Sequence, residues 1–406
     1  MHCVIFVDQH PDTLGGMQTS VRLQRRFLEL AGHRVTIVSP RYRGKHASDP
    51  AVIELPSLPL GPGEYSLCIP GKHSDKALAR AIAGRGPVDV VHIQADFWQA
   101  IIGYRFAKEQ NLPVVHTMHN RLDVGIAATM PFPGMVQRGF GLAQKAFLHT
   151  GRGVAATAWS YLARFTDYAL RVTAPSSHFA RLLELQGVFG TVDVVPNGMD
   201  DQIAADLLAQ PPAARNPRPR LVWVGRFSAE KRLLPFLDAV ALANIDAEIH
   251  VFGDGADRAK AEAKATAMDK PTVLIRGKVA YRQMLAELRQ ADALVQTSQG
   301  FETQGMTVYE AAALGTPSLL SDRAIAEDLP QGVYWLTEDD SIEALARALG
   351  RCVAQVRDGS GPRTESFDPG SFLQSRQTRL MATVYEGAIA DFAAGSRPGA
   401  RPGEGT

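Results

Sequence analysis

Two glutamates eight positions apart, Glu302 and Glu310, offer the clearest chemistry in this 406-residue sequence. They stand in FETQGMTVYEAAALGTP, residues 301–317. The apolar run at 293–296 reads as a strand, 306–314 as a helix and Gly315 as its stop. Amides at the start of such a helix, near Gly305, Met306 and Thr307, can bind an anion, and Gly305 lets a ligand approach the backbone closely. Glu310 falls about one turn inside the helix, where a carboxylate can accept hydrogen bonds from vicinal hydroxyls such as those of a ribose. Glu302 lies in the loop before it. Either glutamate alone is an ordinary loop or helix-face carboxylate. The succession of strand, Glu, glycine turn, helix and second Glu points instead to a ligand site.

Residues 224–232, VGRFSAEKR, follow another strand-like run. Arg226 and Lys231 lie five apart across a turn and can converge on one diphosphate, each charge-assisted hydrogen bond contributing about 1.5–3 kcal/mol. Fixed cations also stabilise the charge that grows on a departing nucleoside diphosphate. They can replace a metal, and with no Asp-X-Asp pair in the sequence none is expected. Near the start, DTLGGMQ (12–18) joins the first strand to the first helix. Gly15 and Gly16 permit close approach of a phosphate or sugar to helix amides, and Gln18 follows them. The pair is not GxGxxG, which argues against a dinucleotide site. His116 and His119, in HTMHN (116–120), close a further strand. Without a carboxylate triad they do not read as a metal pair; His116 alternates into the strand and His119 sits at its end. The GDG at 253–255 is explained nearly as well by a tight turn as by ligand binding.

All these residues fall where short apolar runs end. Strands are expected at 4–7, 35–39, 88–93, 114–117, 171–174 and 192–195, then at 221–224, 248–252, 273–276, 293–296 and 317–321. Helical patterns such as 17–31 and 97–110 separate them. Such alternation indicates parallel sheets with crossover helices. The expected class is α/β, two Rossmann-like domains facing across a deep cleft, with ligands outside the C-terminal strand ends. The proline-rich QPPAARNPRPR (210–220) reads as a linker. Domains are expected at 1–200 and 201–368, with a helix at 369–393 packing back on the first and a disordered tail at 394–406.

The net charge is +1, so nothing global points to nucleic acid, although residues 1–200 carry 20 basic and 15 acidic side chains against 23 and 27 in the remainder. That asymmetry favours an acidic partner for the first half. Cys3, Cys68 and Cys352 form no CxxC or Cys/His cluster, so neither disulfides nor zinc are indicated. The first residues do not resemble a signal peptide, and no run of about 18 apolar residues predicts a membrane span. The expected location is cytoplasmic, or peripheral on the inner membrane face.

Glu302, seven intervening residues, Glu310 and the following AAALGTP resemble the hallmark of the family 4 glycosyltransferases, and the resemblance extends over almost the whole chain. It implies the GT-B fold, an acceptor-binding first domain and a nucleotide-sugar-binding second domain. It further implies that Glu302 contacts the transferred sugar, Glu310 the ribose, and Arg226 and Lys231 the diphosphate. Gly16, beside Gly15, resembles the glycine that meets the donor phosphate, Gly253 matches the base-side loop, and Gln18 would face the acceptor. His119 resembles the active-site histidine that hydrogen-bonds the sugar and helps stabilise positive charge at the anomeric carbon. No carboxylate nucleophile is implied, so retention would follow a front-face, oxocarbenium-like route. The donor would be UDP-glucose or GDP-mannose, with no separate cofactor.

The acceptor must be read elsewhere. From 124 to 166 there is no Asp or Glu, while Arg138, Lys145, Arg152 and Arg164 are interleaved with Phe132, Met135, Phe140, Phe147, Trp159 and Tyr161. Such a stretch can lie on an anionic bilayer; a buried crossover helix plus loop explains it equally well. The QADF at 94–97, HTMH and ETQG are similar to bacterial diacylglycerol glucosyltransferases and lipid mannosyltransferases, which favours a lipid acceptor over a soluble one. A nucleotide-sugar 2-epimerase would not carry this set, and a non-catalytic sugar-nucleotide binder would usually have lost Arg226, Lys231 or Glu302.

Overall fold

Parallel strands buried on both faces are near-continuous apolar runs, and the expected runs form two such sheets in a computed structural model of the protein. It describes the chain except residues 14, 46, 62–63, 149–152, 212–216 and 397–406. Arg152, the centre of the linker and most of the tail expected at 394–406 thus lie outside the described residues. The chain divides into two compact units, Met1–Gly198 with Gln374–Thr406, and Met199–Leu373.

In the first unit the strands of the main sheet are β1 (His2–Val7), β2 (Arg34–Pro40), β3 (Val52–Leu55), β4 (Val90–Gln94), β5 (Val114–Thr117), β6 (Arg171–Ala174) and β7 (Asp193–Val194). They pair in the order β3-β2-β1-β4-β5-β6-β7, all parallel. The order reverses between β1 and β4, so the crevice at their C-terminal ends is the switch point where such sheets receive ligands. Alternation along β1 supplies both layers of core. Val4 and Phe6 enter one apolar cluster, Cys3, Ile5 and Val7 the other. Three helices matter for the site: α1 (Gly16–Leu30), α2 (Trp98–Gln110) and α3 (Pro133–Leu148). The second cluster is closed by Val21 and Leu28 of α1 and by Met381, Tyr385 and Ala388 of the helix Gln374–Ala393.

The helix expected over 369–393 therefore starts late. Pro369–Phe372 forms a separate 3-10 turn, with the Asp368 carboxylate accepting from the Gly370 amide at 2.9 Å. The turn is held in the second unit by Phe372, whose ring stacks on Tyr309 at 5.2 Å.

The second unit contains β8 (Arg220–Val224), β9 (Glu248–Phe252), β10 (Thr272–Gly277), β11 (Ala293–Gln296), β12 (Ser318–Leu320) and β13 (Tyr334–Leu336). Their order is β10-β9-β8-β11-β12-β13, again all parallel. The switch point lies between β8 and β11. Trp223 ties the two sides together: its indole N–H donates to Thr297 Oγ1 at 2.9 Å, and that hydroxyl donates to the Lys231 carbonyl at 2.8 Å. The loops after β8 and β11 are thereby set against one buried ring.

Candidate active site

In the second unit the loop after β8 runs tightly over the end of β9. Gly253 has φ +132°, and a Cβ there would stand 1.8 Å from the Gly225 carbonyl oxygen. Packing alone therefore requires glycine at this position. Beyond it, buried Phe227 anchors a 3-10 turn, Ala229–Lys231. Arg226 is exposed, with one guanidinium nitrogen 3.0 Å from Glu230 Oε1. Lys231 points the other way and forms an ion pair with Glu302, its ammonium 5.3 Å from the centre of the Phe301 ring.

Glu302 is held from several sides. Besides Lys231, Ser298 Oγ donates to Oε1 at 2.8 Å and Gln296 Nε2 at 3.2 Å. Burial pushes its carboxyl up, but Lys231, the Ser298 hydrogen bond and the Arg226 charge outweigh burial and hold it below the usual value. Glu302 is thus an anchored anion within a cationic loop.

Next comes α5 (Met306–Ala313), started by Gly305 at φ +77°. The Val308 amide already donates to the Gly305 carbonyl at 2.9 Å, whereas those of Met306 and Thr307 precede the helical ladder and aim out of its positive end. Glu310 is only 2% exposed. Its carboxylate accepts from Tyr281 Oη at 2.7 Å, the tyrosine opening α4 (Tyr281–Arg289). Burial pushes Glu310 up to about 7, more than this bond lowers it. Tyr281 was not anticipated; an aromatic opening an amphipathic helix carries no sign that its hydroxyl serves a carboxylate.

In the first unit, Asp8 follows β1 and accepts from the backbone amides of Asp96, Phe97 and Gln99 at 2.7, 2.9 and 3.1 Å. It caps the start of α2 and is pushed up to about 6 by burial. Asp96 accepts from the Asn120 side chain at 2.5 Å and from the main-chain amides of His119 and Asn120; burial pushes it up to about 7. The turn after β4 therefore carries the loop after β5.

His119 is half-buried, with Nε2 3.0 Å from Gln94 Oε1, and burial pushes its ring down to about 4. His116 is fully buried between Tyr104 Oη (2.8 Å) and the Ala95 carbonyl (2.9 Å), a structural role. Gly16 opens α1 beside Gly15. Gln18, expected to face an acceptor, is buried and its amide folds back over Gly15, where a Cβ would meet Gln18 Oε1 at 2.1 Å. Among the described residues no three His, Cys, Asp or Glu side chains cluster as a metal site, and no helix is long and apolar enough to cross a membrane.

Residues 14–203 match the model of Glycosyltransferase Family 4, and residues 218–355 that of Glycosyl transferases group 1. The chain thus joins a family 4 glycosyltransferase domain to a group 1 glycosyltransferase domain. This glycosyltransferase is 23% identical over 375 residues to the alpha-monoglucosyldiacylglycerol synthase of Streptococcus pneumoniae, a match spanning 86% of its chain and 78% of that protein. It is 25% identical over 384 residues to a GDP-mannose-dependent alpha-mannosyltransferase of Mycolicibacterium smegmatis, spanning 88% and 90%. The crystal structure of Anabaena HepE in complex with UDP and glucose resembles it with a TM-score of 0.66 at 15% identity, over 95% of this chain and 99% of that one. The two parallel-sheet units are those of the GT-B fold.

Proposed function

We propose that this glycosyltransferase moves a hexose, with retention at the anomeric carbon, from a nucleoside-diphosphate sugar to a hydroxyl of a membrane lipid. The observation that carries this reading is the cluster at the β8/β11 switch point, where Lys231, anchored Glu302, the start of α5 and buried Glu310 come from adjacent loops. Lys231 and Arg226 would neutralise the diphosphate as it leaves, in the place a metal would otherwise occupy. Glu302 would bind the sugar hydroxyls, the Gly305, Met306 and Thr307 backbone the donor oxygens, and Glu310 the ribose. In the first unit Gly15 and Gly16 would admit the donor, and His119 would steady charge at the anomeric carbon. Attack on the face that the phosphate leaves fits a site with no carboxylate assigned as nucleophile.

UDP-glucose and GDP-mannose are the favoured donors. The pneumococcal relative is named for a glucolipid and the mycobacterial one for GDP-mannose, while the HepE complex holds UDP. Incubating the protein with each radiolabelled donor and a lipid extract should move label into the organic phase. Label passing only to soluble sugars would replace the acceptor, and absence of transfer from every donor would leave a sugar-nucleotide binder.

A lipid acceptor is also favoured by the acid-free stretch. Phe140 and Phe147 pack on Trp98, and Phe140 on Tyr161, so these aromatics belong to the fold. Met130, Phe132, Met135 and Leu142 do not: they are 47%, 75%, 72% and 57% exposed. Phe132 has φ +56°, a conformation uncommon for a bulky residue. Arg138 and Lys145 are exposed beside them. Each basic residue near an anionic surface adds about 1 kcal/mol. The protein should co-sediment with phosphatidylglycerol vesicles at low salt and be released by salt, and Phe132→Ser/Met135→Ser should weaken binding about tenfold or more. Equal binding by this double variant would remove the surface from the proposal.

A further inference from the structure

We propose that Gln94 is a positioning residue for transfer: its side-chain amide dictates which nitrogen of His119 carries the proton, leaving Nδ1 as the ring's acceptor. The inference rests on the reading of His119 as a group that serves the reaction.

A neutral imidazole has one N–H and one lone-pair nitrogen, and its neighbours decide which is which. His119 Nε2 meets Gln94 Oε1 at 3.0 Å. A glutamine amide can turn end for end, which would offer its NH2 to the histidine instead. The far end of Gln94 opposes this while Gln24 keeps its orientation. Its Nε2 donates to Gln24 Oε1 and lies 3.3 Å from His92 Nδ1, two acceptors. Gln24 is held in its turn, because its own Nε2 donates to Tyr385 Oη at 3.3 Å. The Tyr385 hydroxyl, which also bonds the buried Cys3 thiol, lies 2.7 Å from His92 Nδ1 and donates to it when it accepts from Gln24. In that order His92 carries its proton on Nε2, which meets Thr117 Oγ1 at 2.7 Å, and Thr117 Oγ1 pairs with Thr173 Oγ1 at 2.6 Å.

In this order every donor of the set meets an acceptor, and the amides of Gln24 and Gln94 can turn only together. Gln24, His92, Gln94, Thr117, Thr173 and Tyr385 are all buried, so an amide reversed alone would oppose its neighbours in a low dielectric. Turning Gln94 would set its oxygen against the Gln24 oxygen and the His92 lone pair. The main chain of His119 is fixed from the same turn, through Asp96. Gln94 and Asp96 thus hold the histidine by ring and by backbone, and Tyr385 extends the support to the helix Gln374–Ala393.

The test uses the full chain with 15N-labelled histidine, identifying the His119 signals by their loss in His119→Ala. In the unsubstituted protein His119 should be one neutral tautomer with its proton on Nε2. Gln94→Met keeps length and shape but removes the acceptor. It should mix the tautomers and lower kcat about 10- to 100-fold, with KM for the donor changed less than about threefold. Gln94→Glu keeps an acceptor oxygen at His119, and Gln24 can turn its own amide to donate to the second oxygen, so this variant should recover at least about tenfold of that loss. Its carboxyl should also raise the His119 pKa and move the acid limb of kcat upward, a readout that holds even if Gln94→Met does not fold. A proton on Nδ1 in the unsubstituted protein, or full kcat in Gln94→Met while His119→Ala is inactive, overturns the proposal. Full activity in His119→Ala instead overturns the role of His119 itself.

Discussion

Lys231→Ala should lower transfer about 100- to 1,000-fold, the range seen when one group that stabilises developing negative charge is removed, and should destabilise the protein as well. The two effects have different origins. Lys231 and Glu302 have side chains only 20% and 14% exposed, and removing one member of a buried pair strands the other. The cost is about 2–3 kcal/mol once partial exposure is allowed for. A double substitution, Lys231→Met with Glu302→Gln, removes both charges. It should regain most of the thermal stability and none of the transfer. Calorimetry and initial rates on both variants check this. Wild-type rates in Lys231→Ala, or activity returning with stability in the double variant, would show that the pair serves the fold alone.

Glu310→Gln should do the opposite, making the protein more stable and the donor bind more weakly. A carboxyl raised to about 7 in the folded state, against an ordinary 4.5, leaves the folded protein holding more protons than the unfolded chain between those values. Its contribution to stability is complete below about pH 4.5 and is lost as pH rises through about 7. At pH 8 the gap corresponds to roughly 3 kcal/mol, which a neutral glutamine that still accepts from Tyr281 would not forfeit. The ionised carboxylate is nonetheless the form suited to two ribose hydroxyls, so donor affinity should strengthen over the range in which stability declines. Glu310→Gln should weaken nucleoside diphosphate binding about 10- to 100-fold and flatten both pH dependences. Titration calorimetry with UDP and GDP at pH 5.5 and 8, beside thermal melts, tests each slope. A variant no more stable than wild type at pH 8 would show that the buried carboxylate carries no such burden.

Four interior and near-central strands could be read residue for residue. Val114–Thr117, Arg171–Ala174, Glu248–Phe252 and Ala293–Gln296 are observed where their apolar runs predict them, because sheets covered on both faces leave a continuous signal. Two of the four edges could not. Val52–Leu55 and Tyr334–Leu336 are three or four residues long and pair on one side only, too little pattern to separate from a loop. The same division runs through the site. Glu302, Lys231, Gly305 and Glu310 were visible from residue type and local spacing. Their partners were not: Lys231 meets Glu302 across 71 positions, and Tyr281 meets Glu310 across 29. Asp8 and Asp96 gave no signal, since their task is to accept backbone amides, for which an aspartate at a strand end bears no mark. Gln94 stood in a recognisable stretch, but its function depends on residues from α1, β4 and the helix Gln374–Ala393, brought together only by the fold.

The helix Gln374–Ala393 also sets the order in which the protein can be built. Met199–Leu373 is one uninterrupted piece of chain and has all its strands once Leu373 has left the ribosome. The first unit is interrupted, and its β1 layer, with Ile5, Val21 and Leu28, stays open until Met381, Tyr385 and Ala388 arrive. Synthesis at about 5–20 residues per second keeps that layer open for many seconds, and the second unit is complete before Met381, Tyr385 and Ala388 close it. The unit begun first is thus the last to be completed, and its β1 layer is the apolar surface that stays uncovered longest.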